Sequence, residues 1–130
     1  MTRAGAVVVL LALAGCGTTG PGGAASCAGP AVSVRPTTVA AGNEMRVEGA
    51  RFFADCYDTG QTGTPPAMRS VEIRLVTTGA THATVVLAVV DAEADGTFAT
   101  SVQVPDDVPA GLAHIEAGGG EPAVVVVTAP

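Results

Sequence analysis

Between Ala31 and Thr128, short apolar runs are interrupted by glycine or proline, and within most runs the apolar residues fall at every second position. Met45, Val47 and Gly49 alternate with Glu44, Arg46 and Glu48; Val71, Ile73 and Leu75 alternate with Glu72 and Arg74. Residues two apart on a strand share a face, so this period marks half-buried strands and excludes amphipathic helices. Val32 and Val34 form another such run, ended by Pro36. Phe98, Val102 and Val104 face one way, with Thr97, Ser101 and Gln103 facing the other. Thr84 to Val90 is a continuous β-branched run, which predicts a central strand buried on both faces. Asp95-Gly96 is a hairpin turn signal. Ile115 is expected inward between outward His114 and Glu116, and Gly118-Gly119-Gly120 turns the chain into Val124 to Thr128. About seven strands without a helix predict an all-β fold, an antiparallel β-sandwich over residues 27–130. Its core is expected to be valine and alanine with Phe52, Phe53 and Phe98, since the chain has no tryptophan.

The front of the chain obeys a different rule. Behind the single positive charge of Arg3, an unbroken apolar run extends from Ala4 to Ala14. A membrane helix needs roughly 20 residues. A shorter run behind a basic end, closed by small residues, reads as a secretory signal. The closing residues, Leu13-Ala14-Gly15-Cys16, resemble the bacterial lipobox. That resemblance implies cleavage after Gly15 and transfer of a diacylglyceryl group to the Cys16 thiol, the other reading being an ordinary signal cut nearby. Residues 1–15 are then a lipoprotein signal peptide. Residues 16–26, rich in glycine, form a flexible tether. Two acyl chains of the palmitate type hold a protein at a membrane where one does so only marginally. The expected location is the extracytoplasmic face of the cell membrane, lipid-anchored.

Charge and cysteine chemistry follow from that cut. The whole chain has six arginines, no lysine and twelve acids, a net charge of −6. Loss of Arg3 makes the mature form one charge more acidic. Such a surface repels nucleic acid and anionic headgroups, so no nucleic-acid partner is expected and the lipid, not charge, provides membrane attachment. With Cys16 assigned to lipid, Cys27 and Cys56 remain, an even pair in an oxidising compartment, which reads as one disulfide. Two free thiols or a metal site are the alternatives. A metal site lacks nearby partners, because His82 and His114 lie far away in sequence.

Two stretches carry a wider resemblance. Val34-Arg35-Pro36-Thr37-Thr38-Val39-Ala40-Ala41-Gly42, followed by Met45-Arg46-Val47-Glu48-Gly49-Ala50-Arg51-Phe52, resembles the opening of bacterial Ig-like domains of the IPT/TIG type. Asp91 to Phe98, then Val104-Pro105-Asp106-Asp107-Val108-Pro109-Ala110-Gly111, is similar to the hairpin and proline-rich corner of Ig-like modules on actinobacterial surface proteins. Where such modules often carry a tyrosine, this chain has Leu112, Ala113 and His114. The resemblance implies an Ig-like sandwich with a binding or spacer role, and it brings no catalytic residues.

Four groups of residues bear on chemistry. Phe52 to Gly60 joins aromatics, acids and a cysteine and leads into a loop running to about Ser70. Long loops on sandwiches often carry recognition, which makes Asp55, Tyr57 and Asp58 the candidate partner-binding residues. Asp91, Glu93 and Asp95 before Gly96 resemble half a calcium loop. A full loop would need an acid where Val102 stands, so the plainer expectation is a solvated turn. Asp58-Thr59-Gly60 matches the aspartic-protease triplet but has no second copy, and His82, His114, Met45 and Met68 match no compact soft-metal spacing. No nucleophile elbow or phosphate loop is present, so an enzyme is not expected, and no cofactor. The expected function is a non-catalytic module that binds or scaffolds a cell-envelope protein or glycan. A ligand or calcium carrier, or an accessory domain of an envelope enzyme system, are the alternatives.

Overall fold

The computed structural model describes residues 28–57 and 60–130. Cys16, Cys27 and Asp58, together with the signal and tether, lie outside the described residues. The described chain is all-β, with eight strands: Ala31–Arg35 (β1), Thr38–Ala40 (β2), Glu44–Ala50 (β3), Val71–Thr77 (β4), Thr84–Val90 (β5), Phe98–Gln103 (β6), Gly111–Ala117 (β7) and Ala123–Thr128 (β8). They form a three-stranded sheet in the order β1-β3-β6 and a five-stranded sheet in the order β2-β8-β7-β4-β5.

The two inner faces supply one core. Val34, Met45, Val47, Phe98 and Val102 come from the smaller sheet, and Ile73, Leu75, Ala113, Ile115, Val125 and Val127 from the larger. The alternation of charged and apolar residues in β3 and β4 dictates this directly, since each charge-bearing position turns outward as its neighbour turns in. Phe52, at the end of β3, is fully buried and meets Phe98 edge-on, with ring centroids 4.9 Å apart. Gly49 makes room for that pair: a Cβ there would stand 2.2 Å from Cε1 of the Phe98 ring. A buried ring in a packed core cannot swing away freely. Gly49→Ala is therefore expected to lower stability by about 1–3 kcal/mol, read by chemical denaturation. An unchanged midpoint would mean that Phe98 has a second place to go.

The structure differs from the sequence expectation in several particulars. The eight strands agree with the expected about seven; the additional short one arises because the chain resumes after Pro36, which lacks the N–H a continuing strand would use. Past a cis Arg35–Pro36 bond it crosses to the other sheet, where β2 pairs in parallel with β8. The sandwich is thus antiparallel in every strand pair but one. The Thr84–Val90 strand is not central: β5 ends the five-stranded sheet and pairs with β4 alone. A register shift opposite Ile73/Arg74 leaves Leu87 as an extra residue, and beyond it Ala88 follows in the half-buried phase. That bulge, not burial on both faces, is why the run never alternates cleanly. Val86 and Val89 are 52% and 58% exposed. The Asp95-Gly96 turn joins strands of different sheets and is not a hairpin. Phe53, placed in the core by composition, is only half-buried, and its ring lies over Gly96.

The topology sorts the connections onto two poles. The segment before β1, the β3–β4 loop, the β5–β6 turn and the β7–β8 turn share one pole. The 41–43, 78–83 and 104–110 turns and the end of β8 share the other. Thr77, the one buried polar residue among those described, seals the second pole by donating to Thr81 O at 2.8 Å and accepting from the Ala83 amide at 2.8 Å.

Candidate functional site

The β3–β4 connection, residues 51–70, leaves and rejoins the sandwich through a short neck. The Met68 amide donates to Phe52 O at 2.9 Å and the Ala54 amide to Pro66 O at 2.8 Å, while Phe53 and Ala67 pair as an antiparallel bridge. Phe52 is the root of that neck, sunk in the core, and its own amide donates to Gly96 O at 2.8 Å. The arm beyond the neck carries the expected binding residues on a fixed base.

Both ends of the loop are strained and braced. Arg51 has φ +64° and Ser70 φ +53°, the left-handed region that side chains avoid. At the first, Arg51 Nε donates to Gly29 O at 3.0 Å, tying the loop to the segment that precedes β1. At the second, the Ser70 amide donates to Asp91 Oδ1 at 2.8 Å and Arg69 Nη1 donates to Asp91 Oδ2 at 3.1 Å. The Ala92 amide adds a bond to Met68 O at 2.9 Å. Asp91 thus fixes the loop's exit. The sequence offered one signal for this: Val71 pairs with Val90, so the residues just outside that pair, Ser70 and Asp91, must be neighbours. With the register unknown, the signal could not be read.

The Ser70 amide, then the Arg69 guanidinium, hold the Asp91 carboxyl below its ordinary value of 3.8. A carboxyl with a lowered folded pKa adds stability above its unfolded value and loses it as pH falls through the folded one. The brace is therefore intact at neutral pH and releases only in acid. Expected is a Ser70 amide resonance that titrates with a midpoint below 3.8; a midpoint at or above that value would contradict the hydrogen bond.

Asp55 and Tyr57 stand together on the arm. Asp55 is exposed, and its Oδ1 accepts the Cys56 amide at 2.7 Å. Tyr57 and Cys56 are half-buried. With Arg51, Phe53 and Pro65 they line an open groove of about 670 Å³ whose opposite wall is the segment 28–30. An aromatic body beside a carboxylate and a guanidinium offers a groove of this kind both apolar area and hydrogen-bonding groups of each sign.

The other candidates are not brought together. Asp91 is turned to Arg69 and Ser70. Asp95 Oδ1 accepts the Thr97 hydroxyl at 2.6 Å and the Thr97 amide at 3.0 Å, which lowers its pKa, and Glu93 is exposed. The Glu93 backbone instead closes the turn, its amide donating to Thr97 O and its carbonyl accepting from Gly96. Met45 is in the core, His82 lies in the 78–83 turn at the far pole, and His114 sits mid-strand on β7. Among the described residues no three histidines, cysteines or carboxylates are grouped to hold a metal ion, and no helix is long and apolar enough to cross a membrane. No protein-family model, curated protein or solved structure matches this chain.

Proposed function

We propose that this chain is an exported lipoprotein, anchored through Cys16, whose Ig-like sandwich binds or scaffolds a cell-envelope protein or glycan without catalysis. The observation that carries the binding half is the 51–70 loop: its base is stitched to the core and its arm presents Tyr57 and Asp55 on an open groove. A rigid base with a varied tip is how sandwiches display recognition surfaces.

The Ig-like reading is supported by strand order. Its first strand is split between sheets, β1 joining β3 and β6 while β2 joins β8, and β4, β7 and β8 lie side by side in the second sheet. The neighbours β1-β3-β6 and β4-β7-β8 follow the A-B-E and C-F-G order of that architecture, which supports the reading. The Cys27–Cys56 bridge is supported by the groove itself, since Ala28 and Cys56 line it together.

Anchoring is tested by the intact mass of the isolated protein, expected to lack residues 1–15 and to carry a lipid on Cys16. An unprocessed Met1 start would remove it. Binding is tested by co-purification of an envelope partner with the tagged protein. Tyr57→Ala with Asp55→Ala is expected to reduce recovery by about tenfold, the scale of one or two interface anchors, with melting unchanged. Equal recovery would move the partner off this loop.

A further inference from the structure

Among the described residues nothing covers the outer face of the larger sheet, and that face is unusually apolar. Leu112, Val124 and Val126 are 56%, 55% and 38% exposed, next to Val86 and Val89 on the same face. The pairing register makes them neighbours. Leu112 stands opposite Val126, His114 lies between Val124 and Val76, and Arg74 lies between Glu116 and Val86. In a chain of net charge −6, the strands of this face carry only Glu72, Arg74 and Glu116 as fixed charges. Arg74 already meets Glu116 at 3.6 Å.

We infer that this face pairs with a second copy of the same chain. The acids select the direction of approach. At one pole Asp55, Asp91, Glu93, Asp95 and Glu121 outnumber Arg51 and Arg69, and the turn at the other carries Asp106 and Asp107, so two copies meeting end-on bring net negative ends together, whereas side-on they present a nearly neutral surface. The Arg74–Glu116 pair makes the face self-complementary. A twofold axis lying along the strands between β4 and β7 sets Arg74 of each copy over the partner's Glu116, so opposite charges cross the seam twice. Five strands about 4.8 Å apart and about 20 Å long give roughly 500 Å² per copy. The roughly 1,000 Å² for the pair is at the lower bound of specific interfaces. The dimer is accordingly weak in dilute solution and favoured where copies are concentrated, independently of the 51–70 loop.

The test uses the full chain in the cells that process it. Packed sheets lie about 10 Å apart, within reach of a short bis-maleimide when His114→Cys is placed beside the axis. The expected result is a crosslinked species of twice the monomer mass. It is absent for Ser101→Cys, an exposed position on the outer side of the smaller sheet. Adding Leu112→Glu and Val124→Glu puts like charges on both sides of the seam and lowers the yield by about tenfold or more. Arg74→Glu alone lowers it similarly, and Arg74→Glu with Glu116→Arg restores it. No dimer at position 114, equal yield at Ser101→Cys, yield that survives the glutamates, or an adduct whose mass is that of another protein would each overturn the inference.

Discussion

Phe52→Ala is expected to lower the stability of the sandwich by about 3–5 kcal/mol, the range for deleting a buried aromatic. The ring is fully buried, edge-on to Phe98, and lies against Gly118. The core is otherwise built largely of valine and alanine, so no side chain is at hand to refill the space. The same residue roots the neck of the 51–70 loop through its amide and carbonyl. The backbone bonds survive the substitution, but the side chain that positions them does not. Amide exchange in residues 52–54 and 66–68 should therefore accelerate more than exchange in β7. Uniform acceleration would mean that Phe52 supports the core alone and does not fix the loop.

The second large effect rests on the proposed bridge. Closing a loop of roughly 30 residues stabilises by about 3–4 kcal/mol through the unfolded chain. Cys56→Ala, or reduction of the wild type, is expected to lower stability by about that amount, and Cys27→Ala to match it. The pair of substitutions should cost no more than either alone, because each removes the same link. A small effect of Cys56→Ala, or additive losses, would mean the two cysteines act separately. For a small domain with few aromatics, one covalent link is a large share of a net stability of about 5–15 kcal/mol.

Much of this fold was legible because alternation is a direct consequence of strand geometry. Met45 and Val47, Val71, Ile73 and Leu75, and Phe98 and Val102 all face the core as their spacing requires. The misreadings occurred where two physical effects leave the same trace. A β-branched run can mark a strand buried on both faces or an edge strand whose phase is reset by a bulge, and Thr84–Val90 is the second. Composition could not say that one of the three phenylalanines would serve as a lid over Gly96, because that depends on the path of the loop. At the candidate site the sequence singled out Asp55 and Tyr57, which do share a groove. It also grouped Asp91 with Glu93 and Asp95 as possible cation ligands, although Asp91 is turned to Ser70 and Arg69, Asp95 to Thr97, and Glu93 is exposed. The Arg51–Gly29 and Ser70–Asp91 braces depend on register and long-range pairing, which no local pattern encodes.

The 51–70 loop is the proposed partner surface. Its most direct test is photo-crosslinking on intact cells, with a photoreactive residue in place of Tyr57 and, separately, in place of His82 at the opposite pole. Amine-reactive reagents are poorly suited, because the chain contains no lysine. The expected result is one dominant envelope component joined at position 57 and absent at position 82. Only lipid or solvent adducts at 57, or the same component captured equally at 82, would contradict it.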